Sequence, residues 1–346
     1  MERIKRFLTD FGLPRIIITV YLLGLFLMAP MVDVSLPGAL SDTFIRIGMN
    51  GIMVLSLVPM IQSGCGLNFG LPLGVIAGLL ASTSSIEMGY VGAWGFFFAL
   101  LLSQVIGAVF GLGYGALLNR VKGGEMMIAT YVGFSSVMLM AIAWLCLPFK
   151  SPVMIWGYGG EGLRTTISLE GFWRHILDDF LALQIGNFKF PTGTLLFLLL
   201  VSFAVWAFFH LKTGTAITAV GSNPNYARAS GISVNRMRII SVVLSTMLGA
   251  MGILVYGQSF GFIQLYDGPL FMAFPAVAAI LIGGAGVNKA SLVNVFIGVA
   301  LYQGILTMTP LIFNAVLKLD MSDVIRIIVS NGMILYALTR KIKVLK

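Results

Sequence analysis

Residues 91–118 read VGAWGFFFALLLSQVIGAVFGLGYGALL, a run without one charged side chain. About 20 consecutive apolar residues in a helix cross the hydrocarbon core of a bilayer, and this run exceeds that length. Working outward, further apolar segments fall at 16–31, 44–62, 70–86, 126–147, 192–211, 238–260, 271–284, 291–313 and 324–340. They are spread from end to end. The chain is therefore expected to be an all-α integral membrane protein with about ten transmembrane helices, forming one membrane domain over residues 1–346. Several segments have only about 15 residues, which predicts tilted, broken or re-entrant elements. Hydrophobic residues make up 58% of the chain and charged residues 10%, whereas soluble domains carry roughly 25% charge. Gly107, Gly111 and Gly115 lie four apart on one helix face. That spacing predicts close helix packing.

The formal net charge is +9, and its distribution reports orientation. Basic residues cluster at Arg3, Lys5, Arg6 and Arg15, at Arg120 and Lys122, at Lys212, Arg228, Arg236 and Arg238, and at Arg340, Lys341, Lys343 and Lys346. Each cluster adjoins an apolar span, where the positive-inside rule puts cytoplasmic loops. No continuous basic face is offered to nucleic acid. Ten spans put both basic termini on one side, read as cytoplasmic. With that topology Glu2, Asp10 and Glu125 are inside. Asp33, Asp42, Glu87, Glu161, Glu170, Asp178, Asp179, Asp267, Asp320 and Asp323 are outside. The basic N-terminus lacks a convincing small-residue cleavage motif, since Ala29-Pro30-Met31 is a poor one, and reads as an uncleaved first helix. Cys65, Cys146, His175 and His210 stand apart, which suggests neither a disulfide framework nor a metal centre.

Two long connections stand out. The outer one, 148–191, carries Trp156, Tyr158, Trp173 and Phe188, the aromatics of a short helix lying at the headgroups. The inner one, 212–238, has four basic residues and no acid, with Gly214, Gly221, Pro224 and Gly231. Asn223 can cap a helix beginning at Pro224, and Gly231 can end it in the left-handed conformation. Physical chemistry leaves two readings of this segment: a rigid knob on the cytoplasmic face, or an ordinary connection that happens to be capped.

A family resemblance bears on that choice. Gly221, Asn223, Ala227, Ser230, Gly231 and Ile232, followed by Ile239 to Gly252, resemble the coupling segment of permease subunits of ATP-binding cassette importers. The resemblance is to the ribose/galactoside/nucleoside type, related more distantly to branched-chain amino-acid permeases. A second matching stretch follows in order, Ala276-Val277-Ala278-Ala279-Ile280-Leu281-Ile282-Gly283-Gly284, and then Gly298. Together these cover roughly the last third of the chain. In the first half, Ser63-Gly64-Cys65-Gly66-Leu67-Asn68-Phe69-Gly70 departs from the Gly-Gly-x-Asp-Leu-Ser of sugar permeases and approaches the Asn-Ile-Gly of nucleoside-type relatives.

The resemblance implies a transport subunit, not an enzyme, of the bacterial cytoplasmic (inner) membrane. Its partners would be a cytoplasmic ATP-binding cassette ATPase, a second permease subunit, identical or a sister, and an external solute-binding protein. Coupling to the ATPase would fall on Gly221, Asn223, Pro224, Ala227, Arg228, Ser230, Gly231 and Ile232. The solute would be a sugar, nucleoside or similar small neutral polar molecule. No cofactor is implied. The glycines of Gly283-Gly284-Ala285-Gly286 form neither a dinucleotide fingerprint nor a P-loop, so ATP would bind another polypeptide.

Gly64-x-Gly66-Leu67-Asn68 and Gly284-x-Gly286-Val287-Asn288 are each followed by a glycine ten residues after the asparagine. Paired interruptions of this kind point to a translocation route; chance recurrence in a glycine-rich chain is the alternative. Asn50, Gln62, Asn68, Gln104, Gln303 and Asn331 are the candidate path residues, since amides can bond a neutral solute, and each could equally tie helices together. No acid or base lies near the centre of a span, which counts against a proton-coupled carrier. An ion-coupled secondary transporter is the alternative class. A membrane enzyme ranks last, because no acid, base and nucleophile converge.

Overall fold

The computed structural model describes residues 13–342 apart from 122, 157–161, 187, 287 and 319. The terminal charges Glu2, Arg3, Lys5, Arg6, Asp10, Lys343 and Lys346, together with Lys122, Tyr158 and Glu161, lie outside the described residues.

All ten apolar segments are helical. In chain order the helices are α1 (Leu13–Met28), α2 (Leu36–Leu55), α3 (Leu57–Gln62), α4 (Leu71–Glu87), α5 (Gly92–Arg120), α6 (Glu125–Cys146), α7 (Thr192–His210), α8 (Lys212–Ser222), α9 (Pro224–Ala229), α10 (Val234–Phe260), α11 (Gly268–Ile282), α12 (Leu292–Leu317) and α13 (Ser322–Ile342). Among the described residues, seven spans are long and apolar enough to cross a membrane, α2 and α3 counting as one, while α4 and α11 are apolar but shorter. The last helix, α13, carries Asp323 and Arg326 in its first turns and is amphipathic.

Local chemistry sets the boundaries. The second span starts at Leu36, eight residues before the apolar run, because Ser35 accepts from the Gly38 amide at 3.3 Å and Pro37 suits a first turn. Its helix breaks after Leu55, four residues before Pro59, whose ring cannot be accommodated against that carbonyl.

The centre of the molecule is α10. Ideal Cβ atoms on Gly107, Gly111 and Gly115 of α5 would lie 3.2, 2.7 and 3.1 Å from the Cα atoms of Met247, Val243 and Ile239. The glycine stripe therefore sets α5 against α10 at backbone contact. On another side of α10, Gly74 of α4 meets the Thr246 carbonyl, where a Cβ would stand 2.7 Å away. The largest buried cluster runs from Ile52 to Ala337 and draws on spans throughout the chain.

The outer connection departs from the expected interfacial helix. Among its described residues there are turns and three short strands, with no helix. β1 (Thr166–Ser168) pairs antiparallel with β4 (Phe262–Gln264), and β2 (Leu183–Ile185) with β3 (Phe188–Phe190). Positive φ at Gly162, Gly171, His175, Leu181 and Gly186 interrupts any helical run. Trp173 is not at the interface: it is fully buried, 5.9 Å from the ring of Phe96.

Candidate functional site

The 212–238 segment folds as two helices on one end of the molecule. The side-chain Oδ1 of Asn223 accepts from the amides of Asn225 and Tyr226 at 3.1 and 3.0 Å, and Pro224 opens α9. At the other end the Ile232 amide donates to the Ala227 carbonyl at 2.9 Å, with Gly231 at φ +80°. This is a Schellman-type stop, which needs a left-handed residue at the glycine position. The capped helix is legible in sequence; α8, which precedes it, is not. Ala227 is fully buried and packs with Val220 and Val234, so it anchors α9. Asn225, Tyr226, Arg228, Ser230 and Gly231 are exposed. Tyr226, 69% exposed on a one-and-a-half-turn helix, is not among the candidates the sequence offers.

Behind this knob lies a junction of backbones. Gly221 of α8 sits directly on the Gln62 carbonyl, leaving no room for a Cβ, and Gly64 faces the Gly221 Cα at 3.1 Å from its own ideal Cβ. The amide of Gln62 donates to the Ala290 carbonyl at 2.7 Å, and its Oε1 accepts from the Thr218 hydroxyl at 3.1 Å. Gln62 thus ties α8 to both glycine breaks. The breaks themselves have one form: Gly64 and Gly284 have φ of +76° and +89°, and their amides close on Ile61 and Leu281. Downstream they diverge, since Asn68 is buried whereas Asn288 is exposed. Nearby, Arg238 and Glu125 pair at 3.0 Å with each side chain only 15% exposed.

The other path candidates do not gather around one cavity. Asn68 is fully buried, donating to Ser245 at 2.8 Å and accepting from Tyr114 at 3.0 Å. Gln104 bonds Ser103 and the Met247 carbonyl at the α5–α10 seam. Asn50 donates back to the Arg46 carbonyl, Gln303 is buried, and Asn331 is exposed on α13. Asn50, Gln303 and Asn331 belong to α2, α12 and α13, and α12 packs against both other helices.

At the opposite end a buried carboxylate clasps the outer connection. Asp178 is 1% exposed and accepts from Thr194, from Ser259 at 3.0 Å and from Gln258 at 3.3 Å, with His175 Nδ1 at 3.2 Å. Gln258 returns its Oε1 to the Leu177 amide at 3.1 Å. Spacing gave no sign of this role, because Asp178 reads as one outer acid among ten. With 27 residues at about 1.5 Å each, α10 spans about 40 Å from the knob to this clasp.

Residues 39–336 match the family described as the branched-chain amino acid transport system / permease component. The chain belongs to this family. As a family member it is similar to the fructose import permease protein FruG of Bifidobacterium longum (strain NCC 2705), 24% identical over 71% of this chain and 70% of that one. It is also similar to the autoinducer 2 import system permease protein LsrC of Escherichia coli O9:H4 (strain HS), 25% identical over 75% of this chain and 70% of the relative. The match to the nucleoside ABC transporter permease protein NupB of Lactococcus lactis subsp. cremoris (strain MG1363) is 27% identical and spans 53% of this chain and 50% of that one. No solved structure matches. The family and these relatives make the chain a multi-pass transport permease.

Proposed function

We propose that this chain is the permease subunit of an ATP-driven importer in a bacterial cytoplasmic membrane, carrying a sugar, nucleoside or similar small neutral polar solute. The names of the fructose and nucleoside relatives support that solute class. The observation that carries the proposal is the capped, left-handed-terminated α9, which presents Tyr226 and Arg228 outward from the segment where the family resemblance is densest. A partner ATPase docks on α9; aromatic and arginine side chains are the usual anchors of such contacts. A second permease subunit completes the path, and an external binding protein delivers solute on the 148–191 side. Both termini and the 212–238 segment are cytoplasmic, consistent with four basic residues and no acid in that segment.

Movement of α9 has two rigid routes inward. One passes through the Gly221 backbone and Gln62 to both breaks; the other runs along α10 to the Asp178 clasp. The solute path follows α2, α12 and α13, where Asn50, Gln303 and Asn331 lie. The hydrogen bonds of Gln62, Asn68 and Gln104 support a helix-tying role for these three in this conformation.

The deciding experiment reconstitutes the chain in vesicles with its ATPase and binding protein. Uptake is expected to require ATP and all components. Uptake by the chain alone, driven by a sodium gradient, would make it a secondary transporter and end the proposal.

A further inference from the structure

Between the outer ends of α5 and α7 lies a cleft of about 590 Å³ with largely apolar walls. Ala93 and Phe97 line it from α5, Leu196 and Leu200 from α7, and Phe180 and Arg174 from the outer connection. Its walls continue into an exposed, wholly apolar surface: Leu101, Val105, Val109 and Leu112 on α5, and Leu199 and Phe203 on α7. A span face of this composition turns to lipid. Next to the cleft, Trp94 and Tyr90 are exposed at the start of α5. Such aromatics mark the headgroup level, so the cleft runs from the interface into the hydrocarbon of one leaflet.

We propose that this cleft holds an acyl chain of a phospholipid from the leaflet opposite the coupling segment, with the lipid phosphate on Arg174. The charges favour an anionic group there. Among the described residues the ion-pair partner of Arg174 is Glu170, at 3.9 Å, and the Arg174 side chain is 45% exposed. Asp179 also lines the cleft but is neutralised by Lys189 Nζ at 2.5 Å. Asp178 is turned inward to Thr194, Gln258 and Ser259, and holds His175. The bound chain would brace residues 174–180, the same stretch that α10 grips through Gln258. The proposal needs only the membrane reading and stands or falls apart from ATP coupling.

The test is native mass spectrometry of the full chain, purified in detergent and titrated with phosphatidylglycerol. One lipid is expected to survive activation that strips the rest. Leu196→Trp fills the cleft and is expected to weaken its retention at least about tenfold, the factor carried by roughly two methylenes denied burial. Arg174→Gln is expected to weaken it severalfold, and Leu101→Trp, outside the cleft, to leave it unchanged. As a second readout, phosphatidylglycerol is expected to raise the melting temperature of the parent and of Leu101→Trp but not of Leu196→Trp. Equal retention in the parent and Leu196→Trp means annular lipid alone and overturns the proposal. So does disulfide formation between two copies of Leu196→Cys in membranes, which would make this face an interface between copies.

Discussion

The side-chain amide of Gln62 donates to the carbonyl of Ala290, 228 positions away, at 2.7 Å and so joins the two glycine breaks. The same side chain accepts from Thr218 of α8. Gln62→Ala removes both bonds, each worth about 1 kcal/mol net. A modest drop in melting temperature is expected, with a larger loss in solute moved per ATP hydrolysed. Gln62→Glu keeps the acceptor for Thr218 but sets a carboxylate against a carbonyl, so it should uncouple as strongly while retaining size. Coupling that survives both substitutions would remove Gln62 from the route.

Gly231 tests the rigidity of the knob. A Cβ there meets no atom of this chain within 4 Å, so within the permease any loss on substitution is a backbone effect. An ordinary L-residue in the left-handed region costs about 1–2 kcal/mol, with asparagine the least penalised. Gly231→Asn should retain most solute-stimulated ATP hydrolysis, whereas Gly231→Val, β-branched, should lose it at normal abundance. Tyr226→Ala and Arg228→Ala are expected instead to reduce co-purification of the ATPase.

Asn68→Leu strands the Tyr114 and Ser245 hydroxyls inside the protein. Hydrogen bonds between membrane helices average about 0.6 kcal/mol, so the two together are worth about 1 kcal/mol. Thermal stability should fall, and Tyr114→Phe with Ser245→Ala in the same background should restore it. If stability is unchanged and only transport falls, Asn68 belongs to the path.

Orientation can be read by labelling. Cys65 is buried and Cys146 exposed, both as free thiols, so both are first replaced. In intact cells an impermeant maleimide should then label Glu170→Cys and not Ser222→Cys. The reverse pattern would turn the molecule over and place α9 beyond reach of ATP.

The helices were legible in sequence because lipid makes secondary structure a local matter. Within a bilayer each backbone group must be satisfied inside its own span, so apolar length alone marks the spans. The α9 knob was legible for a similar reason, since an asparagine cap, a first-turn proline and a terminal glycine act over fewer than ten residues. The outer connection was misread because aromatic content does not tell an interfacial ring from a buried one. Trp173 is buried by Phe96, 77 positions earlier, which no local pattern reveals. In sequence Gln62 and Asn68 stand out as candidate path residues and Asp178 as one outer acid among ten; the bonds they make reach partners up to 228 positions away. A hydrogen bond is decided by which atoms arrive within about 3 Å. For these residues only the tertiary packing brings them there.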